Sequence, residues 1–565
     1  MCAFFQEGPS IGNQYDEDRV LRSYLRRRLP AEVLAEIEPG LRRLGERAVT
    51  DIMEHGTDAE TNAPRHVPYD PWGVRVDDVV VSRGWKELDR IAAEEAIVAT
   101  GYERRHGAWS RVHQFARILL YNPSSAMYTC PLAMTDGAAR LIEVYGDEVL
   151  RREVYPHLVS RDPATFWTSG QWMTERTGGS DVSQSETVAR LEGETYRLYG
   201  TKFFTSAVTA QVAMTLARIE GAPAGSRGLS LFFIKLRGED GRLQGIQVNR
   251  LKEKLGTCAL PTAELELLGT PARLVGDPGN GVRKISTLFN ITRMYNAACA
   301  VSAMRRGIAL ARDYAPRRVA FRKPLSELPL HVETLAALET EYEGAFHLVF
   351  RLVELLGKDD TGTASRDETA VLRLLTPIAK LFTGKVGVAV ASEVVECFGG
   401  AGYMEDTDIP RILRDAQTLS IWEGTTNVLA LDTLRAIEKD RAFPPFLAEI
   451  RARVETVTHP DLAESAARVR EAAARLEAYL PLAVAEGIDF LEAGARAFAF
   501  SLARTYTGSL LVENALWSLE NEADPRPVVV ARRWCAQEMA PLVRAGAQHR
   551  AASRSLALDE VAAPR

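Results

Sequence analysis

The spacing of apolar positions changes twice along the chain. In the first 165 residues apolar side chains recur every three or four positions within charged, glycine-poor runs, which predicts helices at 18–29, 31–54, 85–100, 107–120 and 136–145. Between them, residues 64–81 (PRHVPYDPWGVRVDDVVV) carry three prolines and a short β-like run, and read as a crossing loop. From about Phe166 the period shortens to two. The segments 195–205, 211–219, 228–236, 245–249 and 262–268 are β-rich and separated by Gly, Pro or Asn turns, which predicts a compact β-domain of five or more strands. The run LVGDPGNGV leads out of it. Long runs at helical spacing follow at 288–313, 330–356 and 369–398, joined by short polar loops such as 357–366, as in a four-helix bundle. Phe443-Pro444-Pro445 opens a further alanine-rich helical stretch. The predicted fold class is α+β, mostly α: an N-terminal helical domain (1–165), a β-domain (166–280), a C-terminal helical bundle (281–440) and an additional helical domain (441–565).

Two stretches stand apart from this pattern. In ECFGGAGYMEDTDIPRILRDAQTLSIWEGTTNVLAL (396–431), Gly399, Gly400 and Gly402 leave backbone uncovered, so that a bulky ligand can approach the main chain. RILRDAQTLSIW reads as a short helix or turn. Ile421-Trp422-Glu423-Gly424-Thr425 then sets a lone carboxylate between an aromatic residue and a glycine. Burial there raises a carboxyl pKa and makes Glu423 a candidate base. The same position suits a cap for the helix starting near Thr425, and spacing alone does not separate the two. Far upstream, WMTERTGGSDVSQSE (172–186) follows a β-type run and offers backbone amides and hydroxyls around Gly178 and Gly179.

FGGxGY followed by RDA…IWEGTTN, with WMTERTGGSDVSQSE upstream, resembles the signatures of the acyl-CoA dehydrogenase flavoproteins. IWEG, MTExxGGSDV, KLGT after the strands, and FFQEGPSIGNQYDEDRVLRSYLRRRLP near the N-terminus resemble the AidB-like, alkylation-response branch. The resemblance covers nearly the whole chain. It implies that fold, an FAD cofactor and α,β-dehydrogenation of an acyl-CoA thioester: Glu423 takes the α-proton and a β-hydride passes to flavin N5.

Residue by residue, it implies that Met173 and Thr174 face the isoalloxazine, with Gly179 beside them and Ser180 on the diphosphate side. Phe204 stacks on the flavin in place of the usual tryptophan, and Thr205 and Ser206 follow it, Ser206 supplying the hydroxyl. Arg318 pairs with the diphosphate of a neighbouring subunit's FAD and Phe321 packs on its adenine side. Arg322 stands where the family usually has glycine. Glu396, Gly399 and Gly400 match the segment that crosses to the neighbouring FAD. Trp422 lines the acyl site, Gly424, Thr425 and Asn427 follow the base toward the diphosphate, and Arg293 matches a substrate-side or structural arginine. SSAMYTCPLAMTDGAA (124–139) resembles the segment under the acyl site, although ordinary helix packing accounts for most of its side chains. The resemblance further implies a homotetramer, and an electron-transfer flavoprotein is the candidate electron acceptor.

Composition narrows the alternatives. A formal net charge of -6 and a pI near 6 give no global basic footprint for nucleic acid. The branch is linked to DNA-associated alkylation protection through a basic C-terminal unit, yet residues 441–565 hold 15 Arg and no Lys against 16 Asp plus Glu. DNA binding is therefore the second reading, behind catalysis. Six scattered cysteines without CxxC pairing suit a reducing compartment, and nine histidines without ligand spacing predict no metal site. No run of about 18 consecutive apolar residues predicts a membrane span. Glu7, Asp16, Glu17 and Asp18 interrupt any signal core, and the final VAAPR is not a peroxisomal address, so a cytoplasmic location is expected.

Overall fold

The computed structural model describes residues 7–560. Cys2, the first residues of the N-terminal motif and the last five residues lie outside them. The chain forms two compact units. One combines Ile11–Ala303 with Pro410–Leu419. The other combines Met304–Ile409 with the chain from Ser420 onward and the described N-terminal residues 7–10.

The first unit begins with helices α1 (Arg19–Arg28), α2 (Ala31–Arg47) and α3 (Asp51–Thr61). The Asp18 carboxylate accepts the Leu21 N–H at 2.9 Å and starts α1, while Arg26, Arg27 and Arg28 complement its C-terminal end. The predicted single helix over 31–54 is two helices. The Ala48 carbonyl accepts the Ser124 hydroxyl, and the backbone tightens to i→i+3 bonds at Val49 and Thr50. Residues 64–81 are not a loop. They form an antiparallel hairpin, β1 (Arg65–Tyr69) and β2 (Arg75–Val80). Buried Asp77 holds the hairpin in place. It bonds His66 Nε2 at 2.8 Å and accepts from Arg75 Nε at 2.7 Å and from the Val248 N–H at 3.2 Å. The hairpin thereby docks on the β-domain, and Val79 enters that domain's core. Helices α4 (Arg83–Glu94), α5 (Ala99–Glu103), α6 (Trp109–Tyr121), α7 (Thr129–Tyr145), α8 (Glu148–Glu153) and α9 (Tyr155–Leu158) complete the helical part.

Seven strands follow: β3 (Ser169–Trp172), β4 (Val188–Glu192), β5 (Thr195–Ser206), β6 (Val212–Ile219), β7 (Leu229–Lys235), β8 (Ile246–Leu251) and β9 (Thr262–Leu274). The pairings β4–β5, β5–β9, β9–β7, β7–β6 and β6–β4 close into a ring. β3 joins β6 in parallel and β8 joins β9 antiparallel. A closed ring leaves fewer unpaired edges than an open sheet. Its core includes Trp172, Leu198, Phe232, Ile234, Val248 and Leu265.

Helix α10 (Gly281–Tyr314) gives most of its length to the first unit and its last turns to the second. The second unit continues with a minute hairpin, β10 (Val319–Ala320) and β11 (Lys323–Pro324), and then α11 (Pro329–Asp360) and α12 (Arg366–Cys397). Ser365 and Glu368 form a capping box at the start of α12. Among the described helices, α12 is long and apolar enough to cross a membrane, but 78% of its apolar window is buried inside the protein. Helix α13 (Ile409–Leu419) packs with the first unit. Then come α14 (Thr426–Asp440), α15 (Phe443–Val454), α16 (Ala463–Ala485), α17 (Ile488–Asn521), α18 (Arg526–Cys535) and α19 (Ala547–Leu558). The late helices pack among the bundle helices: Leu381 of α12, Leu429 and Ala430 of α14, and Ala495 and Ala499 of α17 share one core. Glu449 of α15 reinforces this packing. It pairs with Arg351 of α11 and with Arg453, each at 2.8 Å, and accepts the Tyr506 hydroxyl of α17.

Candidate active site

Strand β5 carries one group of candidate residues in the first unit. Its register against β9 shifts between Lys202 and Thr205, so the pair Phe203–Phe204 bulges out of the ladder. The freed Phe203 N–H donates to the Thr174 carbonyl at 2.9 Å, which ties the segment after β3 to the bulge. Phe204 presents an aromatic face that is 54% exposed. Phe203 meets it edge-on at 5.0 Å, and Lys252 Nζ lies 4.7 Å from the Phe204 ring centroid. Ser206 is half-buried two residues on, its hydroxyl 3.1 Å from that of Thr262. Thr205 does not belong with these residues. It points to the opposite side of the strand, is fully buried, and donates its hydroxyl to the Ala263 carbonyl at 2.8 Å.

The 172–186 segment is a built turn. Glu175 and Gly178 exchange backbone hydrogen bonds, and Gly178 has a φ of +131°, where a side chain is strained. A Cβ on Gly179 would lie 2.5 Å from the Thr174 hydroxyl, so glycine is what lets this backbone lie against Thr174. Met173 is buried, Thr174 half-buried, and Gly179 and Ser180 exposed.

Sequence reasoning missed the pair beneath this turn. Lys202, fully buried on β5, places Nζ 2.6 Å from Glu175 Oε1 and 3.0 Å from the Leu216 carbonyl. Glu175 also accepts the Glu186 N–H and the Thr187 hydroxyl, each at 2.6 Å. Burial alone would raise the Glu175 pKa, but Lys202 and these hydrogen bonds outweigh it and hold the carboxyl below its ordinary range. The sequence signal was slight: a charged residue inside each of two runs otherwise read as strand and turn.

The second unit carries its own group of candidate residues. Glu423 is half-buried, with a φ of +57°, unusual for a residue with a side chain. Half-buried Trp422 precedes it, and Gly424 follows with a φ of +107°. Buried Lys380 of α12 donates to the Gly424 carbonyl at 2.5 Å and so fixes this turn. Thr425 occupies the cap position of α14, and its side chain makes no cap hydrogen bond. Exposed Asn427 accepts from Arg496 at 3.5 Å.

Gly399, with a φ of +60°, and Gly400 face open space, where an added Cβ would meet nothing within 4 Å. At Gly402 it would strike the Val395 carbonyl at 2.0 Å. Glu396 is exposed. Half-buried Arg318 enters the β10–β11 hairpin, whose two turn residues, Phe321 (φ +52°) and Arg322 (φ +67°), are both left-handed. Arg322 therefore adopts a conformation that favours glycine, at a cost of about 1 kcal/mol. Phe321 is 91% exposed. Arg293 is half-buried on α10.

Models of known families cover the chain piece by piece: the adaptive response protein AidB N-terminal domain over 9–162, the acyl-CoA dehydrogenase middle domain over 170–269, the acyl-CoA dehydrogenase C-terminal domain over 279–438 and the acyl-CoA dehydrogenase 11 C-terminal domain-like family over 441–561. Acyl-CoA dehydrogenase family member 11 of Caenorhabditis elegans is 44% identical over 557 residues, 96% of this chain and 90% of that protein. The chain belongs to the acyl-CoA dehydrogenase family. This acyl-CoA dehydrogenase is also 32% identical over 414 residues to AidB of Escherichia coli strain K12, covering 72% of this chain and 75% of that one. The crystal structure of C. elegans ACDH-11 in complex with C11-CoA superposes with a TM-score of 0.96 at 41% identity, covering 100% of this chain and 98% of that one. The protein is thus an FAD-dependent oxidoreductase of the acyl-CoA dehydrogenase fold.

The described residues fit FAD. An aromatic face with hydroxyls beside it suits an isoalloxazine, and glycine backbone open to solvent suits close approach of a diphosphate.

Proposed function

We propose that this acyl-CoA dehydrogenase oxidises the Cα–Cβ bond of an acyl-CoA whose chain is close in length to that of C11-CoA, with Glu423 as the base. The chain-length reading is supported by the C11-CoA complex of the C. elegans relative. The observation that carries the choice of Glu423 is its backbone. A carboxylate residue held in the left-handed region, beside a glycine pinned by a buried lysine, is strained for a reason other than helix initiation. Thr425, two residues later, already occupies the cap position.

In this reading one oxygen of the Glu423 carboxylate removes the weakly acidic α-proton. Removal requires the base within hydrogen-bond reach and a stabilised thioester oxygen. FAD, when bound, supplies the two-electron acceptor for the β-hydrogen. Phe204, Thr174 and Ser206 orient it: the ring by stacking, the hydroxyls by hydrogen bonds to its polar edge. The Gly424 pin sets where the carboxylate points.

DNA binding draws little support from the last helices. Arg532 pairs with Asp461 and Arg533 with Glu333, while Arg451, Arg453, Arg468, Arg475, Arg504, Arg526 and Arg554 also have carboxylate partners. Arginines already paired add little to phosphate attraction.

The test is anaerobic bleaching of the FAD absorbance by a panel of acyl-CoA thioesters. The Glu423→Gln variant should retain fold and FAD, yet bleach about 10²–10⁴-fold more slowly. Bleaching of Glu423→Gln at the wild-type rate would overturn the assignment.

A further inference from the structure

The loop between β8 and β9 holds a lysine that nothing above uses. The loop is firmly seated. Gly256 lies so close to the backbone of Arg414 on α13 that an added Cβ would come within 2.6 Å of it. The Thr257 N–H donates to Asp415 Oδ1 at 2.6 Å. From this loop Lys254 reaches inward and is half-buried. Its Nζ lies 2.5 Å from the Leu260 carbonyl and 3.3 Å from Thr262 Oγ1. Thr262 opens β9, is buried, and stands in register with Ser206 at the end of β5, the two hydroxyls 3.1 Å apart. Nζ, Thr262 Oγ1 and Ser206 Oγ therefore form one continuous hydrogen-bonded chain.

Such a chain has a direction. An ammonium has only donors. A protonated Lys254 gives a proton to Thr262 Oγ1, so the Thr262 hydroxyl turns its own proton to Ser206, and the Ser206 proton is left to point outward. A neutral Lys254 amine can accept instead. When Thr262 donates to that lone pair the chain reverses, and Ser206 turns its proton inward and presents a lone pair outward. We propose that Lys254 is a positioning residue whose protonation state sets the direction of the Lys254–Thr262–Ser206 chain, and so decides whether Ser206 meets the flavin edge as a donor or as an acceptor. This rests on the assignment of Ser206 to FAD above.

The surroundings place this switch in an accessible pH range. Burial draws the amine down to about 8, while Cys130 on α7, Cys258 in the same loop, Glu60 on α3 and Asp415 on α13 pull the other way. Ser206 is then a donor below about pH 8 and loses that role above it.

The experiment is a pH titration from 6 to 10 of the visible absorption band and of the FAD dissociation constant, on the wild-type holoenzyme and three variants. The wild type should show an inflection near pH 8 in both signals. Lys254→Met should abolish it and bind FAD about tenfold more weakly at pH 7, the weight of one hydrogen bond. Thr262→Val should reproduce the loss of the inflection with the lysine still present, and Thr262→Ser should restore it, which a merely structural role would not predict. A wild type that holds no FAD defeats the functional assignment itself. A wild type that holds FAD but titrates like Lys254→Met, or a Thr262→Val variant that keeps the inflection, overturns the proposal while leaving that assignment standing.

Discussion

Replacing Lys202 by methionine removes one charge from a pair that water does not reach. Lys202 is 0% exposed and Glu175 is 3% exposed, with 2.6 Å between Nζ and Oε1. The variant keeps a side chain of similar length, so the loss is electrostatic rather than a cavity. What remains is a carboxylate with the Glu186 N–H and the Thr187 hydroxyl as donors but no cation, and a Leu216 carbonyl that has lost its lysine donor. Breaking a buried pair from one side costs about 3–5 kcal/mol, mostly the penalty of the stranded charge. That origin makes the cost testable by a cycle. Glu175→Gln in the Lys202→Met background neutralises the site, so the double variant should be no less stable than Lys202→Met, with a coupling of about 2–3 kcal/mol. It also fixes the sign with pH. In the wild type the Glu175 pKa is lowered, so its contribution is present above the unfolded value and lost as pH falls. In Lys202→Met the cation is gone and burial raises that pKa, so the deficit is larger at pH 7 than at pH 5. Native-state hydrogen exchange of the β5 and β6 amides, at both pH values, reads the local stability without assuming a two-state chain. A loss under about 1 kcal/mol with no pH dependence would refute the reasoning, and the pair would be no more than a surface bridge in effect.

Gly344 on α11 is the seat of Trp534 from α18: an added Cβ would lie 2.3 Å from the indole ring. Gly344→Ala should therefore destabilise the protein by about 1–3 kcal/mol despite the better helix propensity of alanine, as read by thermal melting. An unchanged or raised melting temperature would contradict the packing. Glu449 offers a pH test in the same unit. Burial opposes its ionisation, but Arg351, Arg453 and the Tyr506 hydroxyl lower its pKa to about 2. The stabilisation is complete above the unfolded carboxyl value near 4.5 and disappears as pH falls through about 2. Glu449→Gln should thus be less stable than wild type at pH 7, and denaturation curves of the two should converge toward pH 2.

The long helices and most strands were legible because their apolar period is sustained. The 34-residue α10 and 32-residue α12 repeat it many times over, and β5 over 12 residues. What escaped was short or held from a distance. β3 and β4 have four and five residues, too few for alternation to stand out. The β1–β2 hairpin was concealed by its prolines and owes its position to Asp77, whose partner Val248 is 171 residues away. The flavin-side and base-side motifs were recognisable as strings, but the string did not say that Thr205 turns inward while Phe204 and Ser206 turn outward. Alternation after a bulge can be counted only once the bulge has been located.

The residues that hold the motifs in place are a different matter, and the lysines show why. Composition rules put lysine at the surface, so none was given a role from sequence, although Lys254 opens the KLGT string. Yet Lys202 ends on Glu175 and the Leu216 carbonyl, Lys254 on the Leu260 carbonyl and the Thr262 hydroxyl, and Lys380 on the Gly424 carbonyl. Each meets, directly or through one hydroxyl, a residue beside a proposed ligand or base: Thr174, Ser206 and Glu423. An ammonium on a flexible four-carbon stem can reach in from a strand, loop or helix and satisfy a backbone carbonyl, at Leu216, Leu260 and Gly424 in turn. At Gly424 the glycine gives the turn its shape, and Lys380 underneath fixes one shape among those that glycine permits.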